Sequence, residues 1–158
     1  MLLLSFHIGA EHYSISAKKI VEILPMTQLK KIHRAPEYIL GLLNYRGSPI
    51  PILDLCQLTE HRACNKVLSS RIILVDYTDT NNLTHILGIT AEKVTETIDV
   101  KRDEFFSSGI TLEEAPYLGA IANTDEQMIQ YIEINNLLPK DVQETLFQNN
   151  LPETKTAG

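Results

Sequence analysis

Two cysteines and a histidine stand close together near the middle of the chain, at Cys56, His61 and Cys64. Thiolate sulfur and imidazole nitrogen are ligands that zinc prefers. The close Cys-x-x-Cys pairing of typical zinc sites is missing, however, and the sequence offers no evident fourth ligand. We therefore expect no metal site, and interpret the segment as one buried cysteine beside an ordinary loop. If these three residues did bind a metal or another ligand, the protein would be a small regulatory β-barrel protein, and we keep this as the alternative function.

The chain lacks the motifs with which common enzymes bind phosphates or assemble catalytic groups. It contains no Walker loop, no glycine-rich dinucleotide turn, no Gly-x-Ser-x-Gly elbow and no His-Glu-x-x-His. His7 and His85 fall within strand patterns, where packed or surface histidines are commoner than general bases. The sequence therefore predicts a protein that is not an enzyme and needs no cofactor.

Glu22 and Arg46 are stronger candidates, for binding rather than catalysis. Glu22 is flanked by apolar strand residues, and such charges are rarely buried unless they are paired. An arginine at the tip of a hairpin presents a rigid fork of donors to an approaching partner. The alternative is that the two charges stabilise the fold by pairing with each other or, for Arg46, with Asp54.

Composition limits the partners that the protein can use. The 158 residues carry a formal net charge of -6, which argues against nucleic acid and anionic lipid, because both require a concentrated basic face. The N-terminal apolar run is interrupted by Ser5 and His7, so it predicts neither a signal peptide nor a spanning helix. We expect a cytoplasmic protein with reduced thiols and no direct membrane insertion.

The elements that position these charges centre on residues 39–55, with the sequence ILGLLNYRGSPIPILDL. Two apolar runs surround a polar tip that contains Gly47, the pattern of a β-hairpin. Pro49 and Pro51 are two residues apart, so both missing N–H donors belong to the same side of the second strand. This strand should therefore have one unpaired flank, at a sheet edge or the opening of a barrel.

Short strand patterns recur along the rest of the chain and favour small closed β-barrels over a βαβ sheet. Ser16 is a plausible cap for a helical turn at residues 17–19, Asp54 for one at 55–58, and a short helix follows Pro139. Residues 103–115 are predicted as a loop with a helical turn. The strand patterns cover residues 2–8, 12–15, 20–24, 39–43, 49–53, 71–77, 83–90, 93–100, 117–122 and 128–134.

The central hairpin resembles the signature of a known family. The run PEYILGLLNYRG at 36–47, followed by PILDL at 51–55, is similar to the central motif of CheW-like domains, adaptors that couple chemoreceptors to the histidine kinase CheA. Val21-Glu22-Ile23 fits a short segment upstream, and the resemblance extends over nearly the whole chain. The motif residues that we single out are Pro36, Asn44, Gly47, Pro51, Asp54, Gly88 and Gly119.

The second half most resembles the Wsp type of surface-sensing adaptor. The runs VTET at 94–97, APYLG at 115–119 and LLP at 137–139 suggest this assignment. After Gly88 the family commonly continues with a Val-Asp pair, where this chain has Ala91-Glu92. We therefore carry over no kinase contact at that point.

The resemblance implies a mainly β, CheW-like fold of two five-stranded, SH3-like barrels around a shared core, without catalytic activity. The polar connection at 59–66 is where a division between the barrels would fall, and the polar tail at 149–158 is expected to be disordered, so we expect one domain over residues 1–148. The resemblance also implies two partners, the cytoplasmic tip of a methyl-accepting chemoreceptor and the CheW-like regulatory domain of a CheA-type kinase. The receptor-binding residues implied are Ile20, Glu22, Gly41 and Arg46.

Overall fold

The computed structural model describes residues 1–65, 68–107, 109, 112–124 and 127–147. Within these ranges the protein is mainly β, as predicted, with two short helices and three 3₁₀ turns. The predicted disordered tail at 149–158 lies outside the described residues. The strands are β1 (Leu2–Ile8), β2 (Glu11–Ser16), β3 (Ile20–Pro25), β4 (Ile39–Tyr45), β5 (Ser48–Asp54), β6 (Arg71–Thr78), β7 (Thr84–Ala91), β8 (Lys93–Asp99), β9 (Phe105–Phe106), β10 (Leu118–Thr124) and β11 (Gln127–Ile132); the helices are α1 (Leu55–Glu60) and α2 (Lys140–Phe147).

The strands form two sheets. The first sheet has the order β8-β1-β2-β11-β10-β9, and the second has the order β3-β6-β7-β5-β4. Most neighbouring strands pair antiparallel, but β11 runs parallel to β2 and β5 runs parallel to β7. The first sheet thus contains a sixth strand, β9, where the sequence predicted a loop. The sequence does not show this strand because two residues are too few to reveal a strand period.

The chain changes sheet at two places. It enters the second sheet through a 3₁₀ turn at Ala17–Lys19, which Ser16 caps as predicted, and it returns to the first sheet between β7 and β8, at Glu92. Residues 59–65, near which the sequence suggested a division between the barrels, form the end of α1 and the segment after it, and β5 before them and β6 after them belong to the same sheet. Their polar composition indicates a loop, but not a change of sheet.

Apolar side chains from both sheets meet in one shared core. Phe6 and Ile15 of the first sheet join Ile73 and Leu87 of the second, and Phe147 of α2 packs on the same cluster. A smaller cluster lies on the other face of each sheet, around Leu3 and Val100 in the first and around Ile52 and Leu74 in the second. This layered burial agrees with two small barrels that share a core.

Two further features concern membrane-spanning helices and the predicted thiols. Within the described ranges, no helix is long and apolar enough to span a membrane. Cys56 and Cys64 are joined by a disulfide, which corrects the expectation of reduced thiols. His61 ends α1 with φ 57° and turns the chain back, so the two Cα atoms lie 5.0 Å apart, within the usual range for a bridge.

Candidate functional site

The hairpin between β4 and β5 has a tight two-residue turn. Arg46 and Gly47 occupy its two central positions with φ of 52° and 85°, and Tyr45 pairs with Ser48 on either side. Positive φ at both positions is the hairpin geometry that matches the twist of the strands. The side chain of Asn44 closes the turn by accepting a hydrogen bond from the Gly47 amide at 3.1 Å. The backbone of Arg46 is therefore well defined.

The two prolines of β5 lie where the structure leaves one flank of the strand open. Pro49 pairs with Asn44 and Pro51 with Leu42 on the β4 side, whereas pairing with β7 begins only at Ile52. The predicted unpaired flank is thus confirmed. It occurs at the end of a strand that is interior in the sheet order, so this flank is at an opening and not at a sheet edge.

Side chains connect β3 and β4, the two edge strands of the second sheet. The Tyr45 hydroxyl donates a hydrogen bond of 2.5 Å to Oε1 of Glu22, and Nη2 of Arg46 lies 3.6 Å from the same oxygen. The guanidinium carbon of Arg46 is 5.1 Å from the centre of the Tyr45 ring. Glu22 and Arg46, predicted separately as candidates, therefore belong to one cluster with Tyr45.

Sequence reasoning missed Tyr45. The sequence did offer a signal, since Tyr45 stands beside Arg46 at the hairpin tip. A tyrosine ring can stack on a guanidinium group, and its hydroxyl can donate a hydrogen bond to a carboxylate. The hydrogen bond to Glu22 raises the pKa of Tyr45 above its ordinary value. The phenol therefore remains protonated, and continues to donate, throughout the neutral range.

The Glu22–Arg46 pair is exposed to solvent. The side chains are 39% exposed for Glu22 and 79% exposed for Arg46. Exposed ion pairs typically contribute only about 0.2–1 kcal/mol, since water screens the attraction and ordering the side chains costs entropy. The pair therefore contributes little to folding, and most of the guanidinium surface is accessible to a partner.

Apolar surface adjoins this charged cluster on β3. Val21 and Ile23 are 39% and 42% exposed and flank Glu22 in the strand. Ile20, also predicted as a contact residue, is half-buried and packs against the shared core. Val21, Glu22, Ile23, Tyr45 and Arg46 are here called the hairpin surface. They bring exposed apolar side chains and charge together around the edge strand β3, with Ile23 on the face of the strand opposite to Glu22.

Gly41 supports this surface from within. Its φ is 152°, and a Cβ placed there would collide with the backbone carbonyl of Lys30. Lys30 and Leu42 exchange two backbone hydrogen bonds of 2.9 and 2.7 Å, which hold the preceding loop against β4. The structure thus gives Gly41, which is buried, a clear role in allowing close backbone approach.

The remaining motif residues shape the scaffold. The Pro36 carbonyl accepts from the amide of Ile39 at 2.9 Å, where β4 begins. Gly88 is in β7, which lies between β5 and β6 in the sheet, and a Cβ at this position would collide with the side chain of Ile52. Gly119 in β10 lies close to the side chain of Glu133. These residues position strands and lie outside the hairpin surface.

Asp54 caps α1, as predicted, and is not the partner of Arg46. It is buried, and Oδ1 accepts hydrogen bonds from the amides of Cys56 and Gln57 at 2.9 and 3.2 Å. Oδ2 accepts from the amide of Cys64 at 3.2 Å. The helix that it caps extends to Glu60, two residues beyond the predicted end.

Asp54, Cys56 and Cys64 form the one group among the described residues whose potential metal-ligating atoms lie close together. His61, the third residue of the zinc alternative, is not a member of this group and is exposed. The two sulfur atoms bind each other, and the carboxylate is occupied by backbone amides. This arrangement does not fit a zinc site of two thiolates and a histidine.

The two sheets around a shared core, with a proline-bearing hairpin at one opening, define a CheW-like protein. The sequence model of the CheW-like domain family matches residues 2–142, so the chain belongs to this family. Chemotaxis protein CheW of Helicobacter pylori is 25% identical over 139 residues, covering 87% of this chain and 81% of that protein. CheW of Bacillus subtilis is 23% identical over 141 residues, covering 86% and 85%.

A solved structure agrees with this assignment. The crystal structure of scaffolding protein TtCheW from Thermoanaerobacter tengcongensis is similar to this chain with a TM-score of 0.77 and 27% sequence identity. The match covers 92% of each chain. The mainly β, CheW-like fold predicted from the sequence is thereby confirmed.

Proposed function

We propose that this protein is a non-catalytic adaptor that couples methyl-accepting chemoreceptors to a CheA-type histidine kinase. The observation that carries the proposal is membership of the CheW-like family over residues 2–142, together with relatives that are chemotaxis and scaffolding proteins. The adaptor works in the cytoplasm, recruited to membrane receptor arrays, and transmits receptor state through contacts alone.

The hairpin surface is the proposed contact for the receptor tip. A helical hairpin tip offers an apolar stripe with polar flanks, which suits the exposed side chains of Val21 and Ile23 beside Glu22 and Arg46. One charge pair next to an apolar strip can fix the register of a helix that binds there. Ile20 and Gly41 support this contact from below, through core packing and backbone approach.

The proposed second partner is the CheW-like regulatory domain of the kinase. Two domains of related fold can associate through the ends of their barrels in a modest interface. Weak contacts of this kind gain strength in arrays, where each adaptor is held at two points and the effective concentration of partners is high. Affinity for either partner alone can therefore be moderate.

Binary binding measurements test the proposal. A fluorescently labelled receptor signalling tip and the regulatory domain of a CheA-type kinase, both from the same organism, should each bind the purified protein. Arg46→Glu should weaken binding of the tip about tenfold or more, a loss near 1.4 kcal/mol, while binding of the kinase domain stays unchanged. The matched control is Arg102→Glu, which changes an exposed arginine in the 3₁₀ turn between β8 and β9 of the first sheet. If the wild-type protein fails to bind either of the two partners, the coupling role is refuted.

The particular pathway that we infer is of the Wsp type, in which surface contact is sensed. The runs VTET, APYLG and LLP of the second half support it. The genes beside this one test the inference. A response regulator with a diguanylate cyclase output would support it, whereas regulators of a flagellar motor switch would contradict it and leave the coupling role intact.

A further inference from the structure

A buried carboxylate lies where the chain crosses between the two sheets. Glu92 stands between β7 and β8, and its side chain is only 6% exposed. It accepts hydrogen bonds from the amides of Gly9 at 2.8 Å and Asn65 at 2.7 Å, and from both terminal nitrogens of Arg62 at 2.7 and 2.9 Å. One carboxylate thus connects the β1–β2 turn of the first sheet with the segment that follows α1 in the second.

The disulfide controls the position of this segment. Cys64 lies between Arg62 and Asn65, which supply three of the four hydrogen bonds to Glu92. The bridge ties Cys64 to Cys56 inside α1, whose side chain is fully buried. Asp54 adds a second restraint by accepting from the amide of Cys64. Without the covalent bond, only hydrogen bonds and the Arg62–Glu92 ion pair would hold residues 61–65 in place.

We propose that Cys56 and Cys64 form a thiol–disulfide exchange site that sets how firmly the two sheets are joined at Glu92. The co-reactant is a low-molecular-weight thiol. Its thiolate attacks Sγ of Cys64, the sulfur on the partly exposed residue, to form a mixed disulfide, and the Cys56 sulfur leaves as a thiolate that takes up a proton.

A second molecule of the thiol then attacks the mixed disulfide and releases Cys64 as a thiol. The small thiol leaves as its own disulfide, so two thiols are oxidised and one protein disulfide is reduced to two thiols. The reverse reaction, with the small disulfide as oxidant, restores the bridge.

Reduction acts on the segment more than on the fold. Cys56 belongs to the shared core and can stay packed there as a thiol, whereas the loop at residues 61–65 loses its covalent link to α1. The amides of Asn65 and Gly9, both bound to Glu92, should then open more often. The connection between the sheets becomes looser while each sheet remains intact.

Hydrogen exchange of the full chain in defined redox buffers tests the proposal. The protein is equilibrated with mixtures of reduced and oxidised glutathione, and its thiols are counted by alkylation and mass measurement. We expect one transition between no alkylated cysteine and two. Peptides that contain Gly9 and Asn65 should exchange at least about tenfold faster in the reduced state. The turn at residues 79–83 should be unchanged in both states.

Cys64→Ser provides the matched control. It removes the bridge at the partly exposed position, so its exchange should equal that of the reduced wild type and should not respond to oxidised glutathione. Equal exchange of oxidised and reduced wild type would overturn the proposal. So would faster exchange everywhere, which would make the bridge a requirement for the whole fold. Stoichiometric zinc retained by the reduced protein, with both thiols protected from alkylation, would identify a metal site instead.

Discussion

Arg46 combines a constrained backbone with an exposed side chain. The tight turn fixes where the guanidinium starts, and the Tyr45 ring and the Glu22 carboxylate limit where it points. A side chain held in this way loses less entropy on binding than a free arginine does. These properties suit a contact residue better than a structural one, because the pair itself stabilises the fold only slightly.

Exchanging the two charges separates these roles. In the double variant Glu22→Arg/Arg46→Glu the ion pair can form again with reversed polarity. We expect its thermal midpoint to lie within about 4 °C of the wild type, since the exposed pair contributes little and the lost Tyr45–Glu22 hydrogen bond costs about 1 kcal/mol. Binding of the receptor tip should remain as weak as in Arg46→Glu, because the partner meets the wrong charge. Recovery of tip binding in the double variant would contradict a direct contact of Arg46 with the receptor.

The charged candidates could be recognised from sequence, but their neighbours could not. Glu22 stands out because a charge within an apolar run needs an explanation, and Arg46 stands out because it lies at the tip of a hairpin. The Tyr45–Glu22 and Arg62–Glu92 contacts join residues 23 and 30 positions apart, and local periodicity carries no information on such pairs. The disulfide was mispredicted for a related reason, since a compartment argument says nothing about the turn at His61 that brings the sulfurs together.

Elements with a clear period or a clear cap were predicted well. The 3₁₀ turn at Ala17–Lys19, the cap at Asp54 and the helix after Pro139 each follow from a side chain with a specific local role. The order of strands in the two sheets could not be obtained in this way. Parallel pairing of β5 with β7 and of β2 with β11 depends on packing across the shared core.

Gly41 allows a direct test of how the hairpin is supported. Gly41→Ala should destabilise the protein by about 2–3 kcal/mol, because the methyl group meets the Lys30 carbonyl and the φ of 152° is strained for alanine. Gly47→Ala is the matched control, since its φ is 85° but nothing lies within 4 Å of the added carbon. Its cost should be about 1 kcal/mol. Urea unfolding measures the free energy of unfolding of both variants. Equal losses in the two variants would show that the contact with the Lys30 carbonyl does not contribute to the cost at Gly41.

At the scale of the whole molecule, the connection between the sheets depends on ionised Glu92. Its hydrogen bonds with Arg62 lower the pKa of this carboxyl to about 2. A carboxyl with a depressed pKa stabilises the folded state above its unfolded value near 4.5, and this stabilisation is lost as the pH falls toward 2. Acid should therefore weaken the junction between the sheets.

Glu92→Gln tests this pH dependence. Near neutral pH we expect a loss of about 2–3 kcal/mol, because Arg62 and two amides lose a charged acceptor. The difference from wild type should shrink between about pH 4.5 and pH 2, as the wild-type carboxyl becomes protonated. Glu144→Gln, an exposed position on α2, is the control and should follow the wild type. A difference that stays constant down to pH 2 would show that ionisation of Glu92 is not the cause.

Recruitment of the kinase to receptors tests the coupling role most directly. Receptor cytoplasmic fragments assembled on lipid vesicles are sedimented with a CheA-type kinase from the same organism, with and without the adaptor. We predict that the wild-type protein brings the kinase down with the vesicles and changes its autophosphorylation rate, and that Arg46→Glu fails in both while remaining folded. Kinase that sediments and is regulated equally well without the adaptor would contradict the central claim.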